Sequence, residues 1–567
     1  MPKFPRLKTF LQTTYGGSIV VGLLCLIVFS LQLGNRPFAT PDEARYVEIP
    51  REMVITGDII TPRLNGVKYF EKPPLFYWLQ AASLKAFGLQ EGPMRLWVVV
   101  FAALGCVATY AFGRSVFDQA TGLIAAGVLA TTALYFSLAR LIILDMAVSV
   151  CVTIALYCFY QGLYAPLSRQ RRWWFYGFSA ACGFGVLTKG IMALVVPGPL
   201  IVIWLSYTQQ WHYLRPTYVF RCLALFLFIT VPWHVLVSLK NPEFAYKYFI
   251  VEHWLRYTTT IHARYKPVWF FIPILLAGLL PWTTFLIGAL KEFWLQRRHP
   301  LYSFLWLWIG WVLLFFSLSH SKLIPYILPV FPPLALLIAH SIRQLWQRSY
   351  PSWLFYSHSF LMIALSIAGF IIPMLLPEIL ESKHSLIPFM NVLSGLFLCH
   401  GIITLVLIKR HSIKPALVGI GVTAGCMTLV LGAAAPHLQR PSLKPLIEIM
   451  QQYRQDNQPI VSFLTYYQDL PLYSQHQVIV VGAKGELEFG TTVEDTSRWI
   501  TTGHDFLAQW LQAQKQKKII WAIGRQGDLE EFKHQNPSFR YYIVAKDHGN
   551  VLFTPTKVVE PNRKIER

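Results

Sequence analysis

Apolar runs of about twenty residues recur along this chain, each long enough to cross a hydrocarbon core about 30 Å thick as a helix. Hydrocarbon offers no water to peptide groups, so a spanning segment must close its own backbone hydrogen bonds, which a helix does. About thirteen such runs are legible, centred near residues 26, 102, 128, 152, 180, 198, 228, 278, 309, 334, 365, 398 and 425. With 54% hydrophobic and only 14% charged residues, the chain has few ionisable groups to place. A polytopic α-helical membrane protein is expected, and the positions of its charges carry the functional information.

The formal net charge of +22 would point to nucleic acid in a soluble protein. Here the cations sit in short loops between apolar runs, where they set orientation, so no nucleic-acid partner is implied. Lys3, Arg6 and Lys8 precede the first run, and no small-residue cleavage site follows it; a retained signal anchor with a cytoplasmic start is expected. Arg114, Arg169, Arg171, Arg172, Arg215, Arg221, Lys291, Arg297, Arg298, Arg343, Arg348, Lys409, Arg410 and Lys414 fall on that same side. The outer face receives loop 34–75, the turns near Asp145, Lys189 and Lys322, segment 240–267 and the C-terminus. All eight cysteines lie in apolar runs without metal-site spacing and read as small buried hydrophobes.

From about Pro436 the composition changes, which divides the chain into a membrane region, 1–435, and a soluble outer domain, 436–567. Helical periodicity over 443–453 and 506–515 is interleaved with strand-like runs at 460–466, 478–481, 519–523 and 541–544, the pattern of a small α/β unit. Gly482-Ala483-Lys484-Gly485 lacks the spacing of a phosphate loop, so no nucleotide is expected, and the domain is assigned no chemistry.

The densest charge in the membrane region lies in the first outer loop. Thr40 and Glu43 have capping-box spacing with Pro41 between them, which predicts a helix running to about Ile55 and stopped by Gly57. Ala44, Val47, Met53 and Val54 give it an apolar face suited to lying on a membrane surface. Asp42, Arg45 and Tyr46, at i, i+3 and i+4, share another face. Acids in a first turn also serve by answering the helix dipole, and an arginine there also anchors lipid headgroups, so these residues alone leave both roles open. Tyr69-Phe70-Glu71-Lys72-Pro73-Pro74 follows, with two prolines fixing the backbone after an acid and a cation, a presentation suited to phosphate.

These two motifs are followed in order by a lone Asp145, then Thr188-Lys189-Gly190, then Val251-Glu252-His253-Trp254-Leu255-Arg256-Tyr257, then Ser321-Lys322-Leu323-Ile324-Pro325-Tyr326. The ordered set resembles the bacterial lipid A aminoarabinose transferases and, more broadly, the polyprenyl-phosphate-dependent glycosyltransferases related to protein O-mannosyltransferases. The likeness runs from about residue 34 to 340. It implies a GT-C fold with periplasmic juxtamembrane helices and a small C-terminal α/β domain, in the bacterial inner membrane with its active site in the periplasm. It also implies inverting transfer of a sugar from undecaprenyl phosphate to lipid A or another envelope acceptor, without a nucleotide. By the same resemblance Asp42 and Asp145 become the catalytic carboxylates. Arg45, Tyr46, Tyr69, Lys72, Lys189, Arg256, Lys322 and Tyr326 would line the donor and its phosphate. A divalent metal, zinc by its ligands, is implied between Glu71 and His253, with His262 a competing ligand. Such residue types suit the chemistry, since cations aimed at phosphate oxygens stabilise the charge that develops as the carrier departs. Two other readings stay open: a protein O-glycosyltransferase using the same carrier, and a transporter or flippase. Transporters place ionisable groups near the membrane midplane, whereas here they gather at one surface.

Overall fold

The structure, a computed structural model, describes residues 14–259, 265–347, 353–375 and 381–558; Lys3, Arg6, Lys8, His262 and Arg348 lie outside the described residues. In chain order, α1 (Thr14–Ser30) is followed by α2 (Asp42–Thr56), the short hairpin β1 (Arg63–Leu64) and β2 (Val67–Lys68), and α3 (Leu75–Phe87). Then come α4 (Leu96–Val116), α5 (Gln119–Thr131), α6 (Leu144–Tyr164), α7 (Ser168–Lys189), α8 (Pro216–Lys240), α9 (Pro300–Leu318), α10 (Phe331–Gln347), α11 (Trp353–Leu375), α12 (Ile387–Lys409) and α13 (Ile413–Leu438). Two compact units emerge: residues 1–35, 95–236 and 245–438 in one, and residues 36–94, 237–244 and 439–567 in the other.

The first unit is helical. Every run centre read from the sequence falls on a helix, and among the described residues eight helices are long and apolar enough to cross a membrane. Four shorter apolar helices, at 15–30, 119–131, 192–208 and 268–278, account for further centres, and α7 carries the one near 180. This is a multi-pass membrane protein. Between apolar helices in lipid the hydrophobic effect gives little preference for contact, so small residues that let backbones approach do the work. At the α4–α5 contact, a Cβ on Gly122 would stand 2.6 Å from the Tyr110 carbonyl oxygen, so only glycine permits that approach. Asp118 fixes the start of α5 by accepting the Thr121 N–H at 2.7 Å.

The second unit joins the first outer loop to the C-terminal stretch. Its sheet contains β3 (Ile460–Phe463), β4 (Ile479–Val481), β5 (Ile500–Thr501), β6 (Trp521–Arg525), β7 (Tyr542–Asp547) and β8 (Asn550–Thr554), in the order β5-β4-β3-β6-β8-β7. The four strands β5, β4, β3 and β6 are parallel, and β8 and β7 close one edge as an antiparallel hairpin. His548 and Gly549, both at positive φ, turn that hairpin, the geometry that matches strand twist. The helices α14 (Lys444–Tyr453), α15 (Gly503–Gln516) and α16 (Gln526–Gln535) complete the unit. Phe463 sits at the centre of the core, packed on Phe506, Phe532, Phe539 and Phe553, with Trp510 fully buried beside them.

Two details of α2 correct the sequence-based expectation. The helix starts at Asp42 with no side-chain cap; Glu43 instead accepts the Ala39 N–H at 2.8 Å and pairs with Arg36, so the Thr40 capping box does not form. Gly57 does end the helix, at φ +72° with its N–H on the Met53 carbonyl. Nor does α2 expose a polar face: every residue from Glu43 to Met53 is buried. Its charges are therefore paired. Arg51 donates to both oxygens of Glu48 at 2.6 Å and to the Gln475 carbonyl, while both Glu52 oxygens accept the Gly66 N–H at 3.1 Å. Asn65 fastens the β1–β2 turn to β4 by bonding the Val478 N–H and carbonyl at 2.9 and 3.0 Å.

Burial, helped by the neighbouring Glu48 charge, pushes the Glu52 carboxyl from 4.5 up to about 8, against the Gly66 bond and Arg51. Between those two values the folded chain keeps a proton that the unfolded chain has released, so stability falls as pH rises through that window. Replacing Glu52 by Gln removes the titration. The thermal midpoint of the Glu52→Gln protein should therefore change less from about pH 5 to about pH 8 than that of the parent; equal slopes would place the pH dependence elsewhere.

Candidate active site

The predicted face of α2 forms as read. Arg45 pairs with Asp42 at 2.5 Å, and its guanidinium lies over the Tyr46 ring, 4.9 Å from the centroid. Its other terminal nitrogen pairs with Glu486, a residue the sequence did not single out. Arg45 is buried at 8% exposure whereas the Asp42 side chain is 58% exposed, so the acid is the accessible member of this group. Tyr69 and Tyr77 join the cluster, and both hydroxyls are buried and without a hydrogen-bond partner among the described residues, as are Arg45 Nε and Glu486 Oε2. Burial pushes both phenols well above their ordinary value, so each is a neutral O–H donor. Burial likewise raises the Glu486 carboxyl, with Arg45 opposing. Glu71 and Lys72 follow Tyr69 at intermediate exposure, with the Lys72 ammonium donating to the Glu71 carbonyl at 2.8 Å.

In the helical unit the structure gathers Asp145, Lys189 and Tyr326. Asp145 stands in the first turn of α6 and Lys189 ends α7, so each charge answers its own helix dipole while the two pair with each other. The Lys189 ammonium also lies 5.0 Å from the centre of the Tyr326 ring. Lys322 is not in this group: its ammonium donates to the Ser319 and Lys266 carbonyls at 2.5 and 2.9 Å.

Residues Tyr246–Leu255 form a π-helix, a wide i→i+5 turn type that recurs at functional sites. Arg256, just beyond it, pairs with Glu252 at 2.9 Å, and Lys247 reaches the same carboxylate at 3.0 Å. Glu252, buried and also missed by the sequence reading, thus positions two cations. His253 Nδ1 bonds the Tyr248 carbonyl at 2.6 Å, which orients the ring. Gly190, at φ +83°, makes room for that ring and for the Tyr248 hydroxyl, 2.7 Å from where a Cβ would stand. The glycine of Thr188-Lys189-Gly190 is therefore a steric requirement, and any side chain there would displace His253. No group of three or more His, Cys, Asp and Glu with metal-holding geometry occurs among the described residues.

Comparison with known proteins agrees with this architecture. Residues 19–248 match the family model for dolichyl-phosphate-mannose-protein mannosyltransferase, and residues 446–554 match that for the aminoarabinose transferase C-terminal domain. The undecaprenyl phosphate-alpha-4-amino-4-deoxy-L-arabinose arabinosyl transferase 2 of Sodalis glossinidius is 35% identical over 56% of this chain and 58% of its own length. The corresponding Yersinia enterocolitica transferase is 33% identical over 57% and 58%. The matched stretch thus spans less than two thirds of these curated relatives. ArnT from Cupriavidus metallidurans, solved with undecaprenyl phosphate, superposes with a TM-score of 0.83 at 27% identity, covering 95% of this chain and 98% of its own. The fold is of the GT-C type; the resemblance read from the ordered motifs over about 34–340 holds, and the match over residues 446–554 extends it to the C-terminal α/β region.

The Asp145–Lys189 pair is 12% exposed on each side, so removing either partner strands a largely desolvated charge. Asp145→Asn and Lys189→Met should each lower the thermal midpoint. The double variant should lose less than the two combined, with a coupling of about 1–3 kcal/mol in a double-mutant cycle; additive losses would show that the pair does not hold the helix ends.

Proposed function

We propose that this chain is an integral membrane glycosyltransferase that moves 4-amino-4-deoxy-L-arabinose from undecaprenyl phosphate to lipid A at the periplasmic face of the inner membrane. The N-terminus is then cytoplasmic and the C-terminal region periplasmic. The observation that carries this reading is the exposed Asp42 carboxylate, fixed by a buried arginine among neutral tyrosine hydroxyls, in a chain similar along 95% of its length to a structure holding undecaprenyl phosphate. A desolvated donor or acceptor without a partner costs about 1–3 kcal/mol. Arg45 Nε, the Tyr69 and Tyr77 hydroxyls and Glu486 Oε2 would recover that cost against a sugar with several hydroxyls and an amine.

In the step itself the bond between the anomeric carbon and the carrier phosphate breaks, and one to an acceptor oxygen forms from the opposite side. Charge grows on the departing phosphate, and Lys72, Lys189 and Arg256 are the cations assigned to it. Tyr326 and Lys322 support them, Tyr326 by packing on the Lys189 ammonium and Lys322 by fixing the 266 and 319 carbonyls. Asp42 steadies the positive charge developing on the sugar ring, or takes the proton where the acceptor is a hydroxyl. A lipid A phosphate is already an anion and needs no base. Transfer to a protein hydroxyl, the second reading, draws on the mannosyltransferase model over residues 19–248; the aminoarabinose transferase model over residues 446–554 favours lipid A.

A divalent metal is proposed for Glu71 and His253. The His253 Nδ1 bond to a backbone carbonyl is the orientation that ligating histidines use, and the other ring nitrogen, Nε2, lies beside Gly190. Zinc suits a carboxylate and an imidazole and would act as a Lewis acid toward phosphate oxygen.

Mass spectrometry of lipid A from cells with and without the gene should show loss of one aminopentose mass. Asp42→Ala should reproduce that loss in protein that is made and folded, and Lys72→Ala should lower transfer by at least about tenfold through weaker phosphate stabilisation. Unchanged lipid A with a glycoprotein altered instead would select the second reading. Verified zinc removal that leaves turnover unchanged would reduce Glu71 and His253 to structural residues.

A further inference from the structure

Far along the C-terminal stretch, α15 carries Gln509, Gln512 and Gln516 at i, i+3 and i+7, an exposed row of amides on one side of the helix. They line a groove of about 710 Å³ together with Gln455 and Asn457 from the loop before β3. It shares Gln455, Gln458 and Lys517 with a second groove of about 1070 Å³, which adds Tyr453, Tyr542 and four further cations. Across both grooves stand Arg454, Lys515, Lys517, Lys518, Arg540 and Lys557 against a single acid, Asp456. Residues 439–558 as a whole carry 13 Lys and Arg against 12 Asp and Glu, so the charge is sorted onto this face and does not reflect overall composition.

The helix dipole accounts for part of this, because Lys515 and Lys517 end α15 and Arg454 follows α14. It does not reach Arg540, which precedes β7, or Lys557, which follows β8. Among the described residues no acid pairs with Lys515, Lys517, Lys518, Arg540 or Lys557. Arg454, by contrast, is tied down by bonds to the Gln458 and Asp456 carbonyls at 2.9 and 2.8 Å, which stiffens the rim.

Side-chain amides each offer a donor and an acceptor, the pattern that pairs with sugar hydroxyls. Exposed tyrosine faces suit the C–H side of a pyranose, and Tyr542 is 50% exposed. Unpaired cations suit phosphate or carboxylate. We propose that this double groove is a binding site for an anionic carbohydrate, a phosphate-bearing oligosaccharide of the envelope surface. The site holds its ligand without reacting with it and lies wholly within the C-terminal α/β region. It goes beyond the transferase reading, since the test reads binding and not turnover and failure of either leaves the other standing.

The full-length protein in neutral detergent would be titrated by calorimetry with a glucosamine disaccharide bisphosphate, with the same disaccharide lacking phosphate, and with inorganic phosphate. The bisphosphate should bind at least about tenfold more tightly than either control, with affinity falling as salt rises. The paired change Lys515→Glu with Arg540→Glu should lower that affinity by at least about tenfold while leaving the thermal midpoint unchanged, and Tyr542→Ala should weaken it independently. Equal binding of the neutral disaccharide, equal binding of inorganic phosphate, or no effect of charge reversal would each overturn the proposal. Displacement of the disaccharide by vesicles of anionic phospholipid would assign the face to the membrane surface and overturn it as well.

Discussion

A helix carrying seven ionisable side chains is buried on nearly every side, and the second unit is organised around satisfying them. Uncompensated charge in a desolvated site costs several kcal/mol per ion, so α2 can be buried only if each charge finds a partner. Glu43 takes Arg36 and the Ala39 N–H, Arg51 takes both oxygens of Glu48, and Glu52 takes the Gly66 N–H. The remaining demand is met from the far end of the chain. Gln439 bonds Arg36, the Gln475 carbonyl bonds Arg51, and Glu486 pairs with Arg45. The C-terminal stretch, which carries no recognised catalytic motif, therefore supplies the counter-groups that let the Asp42 helix exist where it does.

Local composition could not disclose this arrangement. The apolar runs gave away the membrane helices because hydrocarbon enforces a local rule, and every run centre falls on a helix. The i, i+3, i+4 spacing gave away the Asp42, Arg45 and Tyr46 face for the same reason, since helical geometry is set within one turn. Glu486 and Glu252 escaped because their roles depend on partners: Glu486 lies 441 residues from Arg45, and Glu252 became a hub only when a π-helix brought Lys247 and Arg256 to one carboxylate. The capping box failed on a related ground. Thr40 and Glu43 had the right spacing, but Arg36 offered Glu43 a stronger, charge-assisted partner. In the α/β region β3, β4, β6, β7, α14 and α15 were legible, whereas β5, β8 and α16 were not: β5 is two residues long, β8 follows a two-residue turn that a periodicity window blurs, and α16 buries only Leu529 and Phe532.

Two lysines of the helical unit, Lys189 and Lys322, are held in different ways. Lys189 answers a helix terminus, a carboxylate and an aromatic face at once, so its position is fixed by three interactions before any ligand is considered. Lys322 is held by two carbonyls, which leaves its charge uncompensated by any acid in that contact. Such a cation raises the local positive potential from a fixed position.

Asp42 and Glu43 show how adjacent acids on one helix are driven to different tasks. One position apart on a helix turns the side chains about 100° from each other, so they meet different surroundings. Glu43 points inward, at 1% exposure, and is consumed by Arg36. Asp42 remains 58% exposed and shares Arg45 with Glu486. Both terminal nitrogens of Arg45 are thereby committed to carboxylates, and Nε has no partner among the described residues. A guanidinium bound in that way has little left with which to grip a phosphate. What the geometry shows is an arginine that holds the Asp42 carboxylate in one orientation beside a second acid. Glu486 sets the balance: were it lost, Arg45 would turn fully to Asp42 and neutralise the one acid on this helix that the site leaves accessible.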